Sequence, residues 1–427
     1  MRHNAHYDAI VVGAGPAGTT AAWELARHGV RVALLERRKL PRHKTCGGGM
    51  PITVRQLLQI DVAQDLAPET FVEAKVRYLR HTFRFATPYL APLNHGPADE
   101  DSSADLELWM VQRSIFDNAL AQRAARAGAE LRDALTVRRV ECGDRGPICV
   151  TAEGETGMWS ATCDFLIGAD GANGVVARQV GLRSERAIAI AIEVEVPHRW
   201  GEGHEDLRPE IAHLEFGVVQ GGYAWVFPKE DHLNVGAGCF RPKGLSVHGD
   251  PNLRAELRKT ILDYLRYLNV PYREEELVFH AHPLPIWNGL DTVQNHRANI
   301  LLVGDAAGLI NPFFGDGIYS AIKSGSIAAE AIIEGRTAAY TEAIGKAFRA
   351  NFDDALRFAR FFYRWPGFCY RHGILRPYAT RTAVRILAGE LTFPEISRRV
   401  IRRIRQAMAL ERGGPYSRRL RDLEILE

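Results

Sequence analysis

Six residues between two apolar stretches, Gly13-Ala14-Gly15-Pro16-Ala17-Gly18, restrict what this chain can become more than any other feature. Residues 7–12 read as a buried strand. Residues 16–28 read as a helix with Ala17, Ala21, Leu25 and Ala26 on one side and Gly29 as its stop. In such a strand–turn–helix unit Gly13 permits the tight bend and Gly15 lets the backbone approach a pyrophosphate. Gly18 lets helix and strand pack closely, and the helix N-terminus faces the anion. Residues 30–36 read as the next strand and end on Glu36, 18 residues beyond Gly18. At that distance a carboxylate accepts hydrogen bonds from adenosine ribose hydroxyls.

Two further glycine-bearing segments, Gly168-Ala-Asp-Gly171 and Gly304-Asp-Ala-Ala-Gly308, each follow a short apolar run, residues 165–167 and 300–303. Both runs are expected to join the same sheet and to deliver Asp170 and Asp305 at strand ends. Each aspartate alone would serve equally as a solvated turn carboxylate. Together with Glu36 they are expected around one large phosphate-bearing cofactor, FAD, with Asp305 accepting from ribityl hydroxyls. Pro312 and Gly315-Asp316-Gly317 open a helix to about residue 334, with Ile318, Ala321, Ile322, Gly325, Ala328, Ala329 and Ile332 at helical spacing. The positive end of that helix would face the flavin pyrimidine and favour the anionic reduced ring. The expected fold class is α/β, α+β overall, with a Rossmann-type FAD domain.

Two more motifs narrow the reading: Lys44-Thr-Cys-Gly-Gly-Gly49 and Tyr223-Ala-Trp-Val-Phe-Pro228. With the glycine segments and Arg113-Ser-Ile-Phe-Asp117, they make the chain resemble the geranylgeranyl reductase family of FAD enzymes, within the broader aromatic-hydroxylase-like flavoproteins, over nearly its whole length. The resemblance implies that Arg113 contacts FAD and that Cys46, Gly47 and Gly48 lie by the isoalloxazine. Arg37, Val137, Gly171 and Ile318 complete the expected cofactor set. Tyr223, Trp225, Phe227 and Pro228 are the expected substrate residues, although an aromatic trio on a strand also suits core packing. Asp316 departs from the family, where Glu or Gly is more usual.

What the resemblance implies chemically is saturation of an isolated isoprenoid double bond, by a hydride from reduced flavin and a proton to the other carbon. An unconjugated alkene is a poor hydride acceptor, so protonation must lead or accompany transfer. Tyr223 and Trp225 offer π-faces to the developing positive charge. Cys46 either belongs to the proton path or positions the polyprenyl chain. His280 and His282 alternate like strand residues and read as structural. With one dinucleotide fingerprint taken by FAD, the electron donor is NADPH docking transiently or a reduced ferredoxin-like carrier. The rival readings are an FAD-dependent monooxygenase, a flavin halogenase, a flavin carrier without turnover, and a quinone-linked dehydrogenase, whose iron–sulfur cysteine cluster the cysteine spacing denies. Tyr223 and Phe227 stand where a halogenase's WxWxIP motif has Trp and Ile.

The charge of +3 over 427 residues is too mild to argue for nucleic acid. Six cysteines without CxxC or metal spacing suggest reduced thiols in a cytoplasmic protein and no metal site. The first strand begins within a few polar residues, leaving no room for a signal peptide, and no apolar run reaches bilayer length. Residues 1–75, 105–185 and 284–345 are expected to build the FAD domain. Residues 76–104 and 186–283 would form a mainly antiparallel substrate domain, in which 187–196 alternate as a strand with one buried face and 97–107 form an acidic exposed loop. Leu253, Leu257, Ile261, Leu265 and Leu268 mark an amphipathic helix. Residues 346–427 form a C-terminal helical region, aromatic-rich at first. In it, 398–421 hold nine arginines against one acid, Glu411. A helix there would lie on an anionic membrane or pack on the domain with a solvated basic face, and a lipid substrate tips the balance toward peripheral membrane contact. The sequence assigns no oligomeric state.

Overall fold

A computed structural model describes residues 5–59, 66, 68–93, 106–182, 188–240, 251–376 and 378–396. Its first sheet has seven strands. Glu130–Arg132, Val32–Leu35, Ala5–Val12 and Gly157–Gly168 lie side by side and parallel, and Ile300–Leu302 joins the far side of Gly157–Gly168, also parallel. Ile148–Gly154 and Leu135–Glu141 extend it as an antiparallel meander. Val32–Leu35 is buried at every position, as a strand covered on both faces must be. The helix Pro16–Arg27 crosses Ile318–Ile333 so closely that a Cβ on Gly325 would stand 2.3 Å from the Ala17 carbonyl oxygen. Small residues at this crossing bring both helix N-termini to one edge of the sheet.

The second sheet runs in the order His280–Pro285, Ile188–Pro197, His232–Cys239, Gly222–Pro228, Ile211–Phe216, Tyr78–Phe83, Tyr89–Pro92. It is antiparallel throughout except where Ile211–Phe216 pairs parallel with Tyr78–Phe83. The amphipathic helix Pro251–Tyr267 covers one face with Leu253, Leu257, Ile261 and Leu265, against Ile190, Ile192, Val194 and Val196. One expectation needs correction: Ile188–Pro197 does not have a single buried face. Ala189 and Glu193 on its other side are buried as well, because that side looks into an internal cavity instead of solvent. Between the two sheets stands a three-stranded antiparallel sheet of Gly49–Pro51, Leu108–Val111 and Val72–Val76.

The helix Tyr340–Arg364 leads into Pro366–Cys369, a π-turn at Tyr370–Ile374 and the helix Ala379–Leu387. The aromatic crowd seen in the sequence packs here, with Phe361, Phe362, Phe368 and Tyr370 against Phe216 of the second sheet and Phe313 of the loop before the helix Ile318–Ile333. The arginine-rich stretch 398–421 and most of the acidic loop 97–107 lie outside the described residues. Among the described residues no helix is long and apolar enough to cross a membrane, and no two of the six cysteines form a disulfide.

Candidate active site

A cavity of about 1120 Å³ lies between the sheets. Its polar wall contains Gly13, Gly15, Pro16, Ala17, Glu36, Arg37, Arg113, Val137, Asp170, Gly171, Gly304, Asp305 and the run from Gly315 to Ile318. A second, apolar part is walled by Leu79, Leu214, Phe216, Phe240, Phe313 and the helix Ala379–Leu387. The two meet at the loop from Lys44 to Gly49 and at Tyr223, Trp225 and Phe227.

The polar part fits a dinucleotide. Cβ atoms on Gly13 and Gly18 would fall 2.3 Å from the Ala169 oxygen and 1.9 Å from the Gly13 oxygen. On Gly15 the nearest atom would be the Arg42 guanidinium, 4.0 Å away, so backbone and cation there face open space. Neither Pro16–Arg27 nor Ile318–Ile333 has a side-chain cap, leaving their first N–H groups for an outside acceptor. Asp170 Oδ1 and Asp316 Oδ1 are buried without hydrogen-bond partners, although both residues belong to the cavity wall. Burial raises the pKa of both carboxyls, that of Asp316 to about 7.

Arg113 makes a bidentate pair with Asp117, at 2.8 and 2.9 Å. Arg42 bonds the same carboxylate at 3.0 Å and reaches Glu36 at 3.3 Å. Glu36 also accepts from the Ala14 N–H at 3.1 Å, tying the second strand to the glycine turn. Lys44 Nζ stands 2.7 Å from His282 Nε2, with Asp305 3.9 Å from the same nitrogen. Burial lowers both Lys44 and His282. Burial also acts to raise Asp305, but the His282 ring and the Lys44 charge outweigh it and hold the carboxyl below its usual range.

The Lys44–Gly49 loop lies face to face with the aromatic strand. A Cβ on Gly47 would press 2.7 Å from Phe227 and 3.1 Å from Trp225 Nε1. Trp225 donates Nε1–H to Asn234 Oδ1 at 2.9 Å, and its ring fills the space a side chain at Gly236 would need. Tyr223 donates to the Phe314 carbonyl and stacks on Phe240. Behind the loop, the buried Lys229 ammonium donates to the Gly47 and Val111 carbonyls, each at 2.8 Å. Burial brings Lys229 down to about 8.

Cys46 is half-buried in this wall, donating its N–H to Glu193 Oε1 at 2.7 Å while its Sγ accepts from the Gly48 N–H at 3.4 Å. Burial pushes Glu193 up to about 7. Its unfolded value is about 4.3, so the native state binds this proton more tightly. The stability it contributes is therefore complete below the unfolded value and is lost as pH rises through the folded one. Glu193→Gln keeps an acceptor for Cys46 and carries no charge. It is expected to flatten the decline in unfolding free energy between about pH 4 and pH 7, measured by denaturant titration; an unchanged decline would contradict this.

Four expected site residues stand outside the cavity wall. Ala14 and Gly18 belong to the packing of the turn, Pro312 is buried, and Pro228 shares the strand parity of Val226, which faces the covering helix. Conversely, Arg42, Lys44, Glu193 and His282 line the cavity although the reading of single motifs did not select them. His280 and His282, read as structural, both stand in its wall, the His280 ring tilted against His43 with centroids 4.2 Å apart. The signal available was the lysine that opens the CGGG motif. The partners it meets come from distant strands.

Residues 6–213 match the FAD binding domain family. The geranylgeranyl diphosphate reductase of Rhodobacter capsulatus is 32% identical over 326 residues, which are 76% of this chain and 74% of that protein. Digeranylgeranylglycerophospholipid reductase 1 of Methanopyrus kandleri is 28% identical over 334 residues, 77% of this chain and 80% of its own. The fold resembles the crystal structure of a geranylgeranyl bacteriochlorophyll reductase-like protein from Thermoplasma acidophilum, with a TM-score of 0.70 and 23% identity over 99% of this chain and 100% of that one. A dinucleotide cradle, a KxCGGG loop against a YxWxFP strand and a relative of this identity and coverage lead to one conclusion: the chain belongs to the geranylgeranyl reductase family of FAD-dependent oxidoreductases.

Proposed function

We propose that this protein saturates isolated double bonds of a geranylgeranyl or longer polyprenyl chain. The observation that carries the reading is the shared wall. The polar slot and the aromatic-lined apolar part of one cavity adjoin at the Lys44–Gly49 loop, so a greasy chain can lie against the place where the flavin ring would be held. Reduced FAD, when bound, supplies the hydride. Tyr223 and Trp225 present π-faces to the carbon that becomes electron-poor. Glu193 holds a proton near neutrality, and Cys46, bonded to it through its backbone, orients the loop between that proton and the chain. Arg113, Asp170, Asp305 and the helix N-termini bind and orient the cofactor. NADPH or a reduced ferredoxin-like carrier restores the two electrons, and the protein works in the cytoplasm, in contact with membrane.

Anaerobic incubation of the dithionite-reduced protein with a panel of geranylgeranyl compounds, read by mass spectrometry, tests this. Gains in steps of two hydrogens are expected on at least one member. A gain of one oxygen in air would instead identify a monooxygenase, and flavin reduction with no change in any lipid would leave only a carrier. Trp225→Leu is expected to slow turnover roughly thirty-fold, from the loss of about 2 kcal/mol of desolvated cation–π stabilisation. Cys46→Ser separates proton delivery from positioning, since only the former shifts the pH profile of turnover. Unchanged turnover in either variant removes that residue from the mechanism.

A further inference from the structure

From residue 353 to residue 390 the chain carries seven arginines and three acids, of which Asp354 and Glu390 pair with Arg357 and Arg385 and leave the other five arginines in excess. Arg357, Arg360 and Arg364 fall on one stripe of the helix Tyr340–Arg364 and are exposed, as are Arg371 and Arg376 in the turns that follow. Within this cationic surface two large apolar side chains stand in solvent, Leu375 at 39% and Tyr378 at 50% exposure. Their positions are specific. Leu375 directly follows Ile374 and Tyr378 directly precedes Ala379, and both neighbours line the apolar part of the cavity. The cavity wall therefore reaches the surface within one residue of each. On the helix Ala379–Leu387, Thr380, Ala383, Val384 and Leu387 form the cavity-facing stripe.

We infer that this face, made by Arg371, Leu375, Arg376 and Tyr378 with the arginine stripe beside them, docks on an anionic lipid surface and opens the apolar part of the cavity toward the bilayer. Arginines attract acidic headgroups within a Debye length, while an exposed tyrosine and leucine enter the interface as amphipathic anchors do. Charge favours an anionic lipid as the occupant: a second copy would bring arginines against arginines, residues 398–421 add nine further arginines against one acid, and the neighbouring acids Asp354 and Glu390 are already paired with Arg357 and Arg385. The inference rests on the proposed substrate being a prenyl chain, because only a lipid-soluble substrate gains from such an opening.

The test is co-sedimentation of the full-length, FAD-loaded protein with vesicles of phosphatidylcholine alone and of phosphatidylcholine mixed with phosphatidylglycerol. Binding is expected only to the mixed vesicles, to weaken with salt, and to fall roughly thirty-fold in the double variant Arg371→Gln/Arg376→Gln, about five-fold for each charge removed. Leu375→Ser/Tyr378→Ser should lose the residual binding seen at high salt. Flavin absorbance and reduction of a detergent-dispersed prenyl compound should stay at wild-type level in both double variants. Equal vesicle binding by wild type and the arginine variant would overturn the inference, as would concentration-dependent dimerisation abolished by Leu375→Ser/Tyr378→Ser, which would make the face an interface between copies. Vesicle binding that fails while dispersed prenyl compound is still reduced sinks only the docking face. Vesicle binding without reduction of any prenyl compound sinks the proposed function and, with it, the opening toward the bilayer, and leaves only the docking face.

Discussion

A Gly18→Ala protein is expected to purify without yellow colour and to unfold at lower denaturant. The added methyl would lie 1.9 Å from the Gly13 carbonyl oxygen and 3.0 Å from the Ala169 side chain. Backbone cannot swing aside as the end of a long side chain can, so the helix Pro16–Arg27 must move off its strand. Overpacking of this kind costs about 1–3 kcal/mol or more. The displaced N-terminus no longer offers its N–H groups to a pyrophosphate, so the stabilisation that bound cofactor adds by mass action goes as well. Gly29 provides the control. It has a φ of +79° and nothing within 4 Å of where a methyl group would stand, so Gly29→Ala should cost about 1–2 kcal/mol in backbone strain and keep its flavin. Visible absorbance and denaturant midpoints decide. A yellow Gly18→Ala protein of wild-type stability would contradict the packing described.

The second large effect is expected at Lys229→Met. The methionine matches the stem but leaves the part-buried Gly47 carbonyl, at the cavity wall, and the buried Val111 carbonyl without this donor. A buried acceptor left unsatisfied costs about 1–3 kcal/mol, and the part-buried one can turn to water, so destabilisation of about 2 kcal/mol is expected in denaturant unfolding. Because this ammonium ties the CGGG loop to the strand Leu108–Val111, the variant should also bind FAD more weakly, seen as flavin released on dilution. Lys229→Arg should not rescue, since the bulkier guanidinium must fit beside Gly48, where even an added Cβ would stand only 2.7 Å from Nζ. Wild-type stability and flavin retention in Lys229→Met would remove the loop anchor from the account.

Much of this was legible in the chain because the signals were local. Gly13, Gly15 and Gly18 reveal themselves by spacing, and a strand that ends on Glu36 follows from one apolar run. The odd-numbered aromatics Tyr223, Trp225 and Phe227 declare a common face by alternation, and the structure brings all three to the cavity wall. What could not be read depends on partners distant in sequence. Lys44 and His282 are 238 residues apart and Cys46 and Glu193 are 147 apart. Nothing near His282 distinguishes an imidazole that faces a cavity from one that fills a core. The strand Ile188–Pro197 misled for the same reason: alternation marks a change of surroundings, and an internal cavity imitates solvent in the pattern. The helix Ala379–Leu387 escaped as a site element because its cavity stripe, Thr380, Ala383, Val384 and Leu387, has the spacing of any helix packed on a core.

One observation tests the central claim directly. Protein reduced anaerobically with dithionite, freed of excess reductant, should regain its yellow absorbance when a geranylgeranyl compound is added, with one double bond lost for each flavin reoxidised. Absorbance that returns only on admitting oxygen, with every prenyl compound recovered unsaturated, would contradict it.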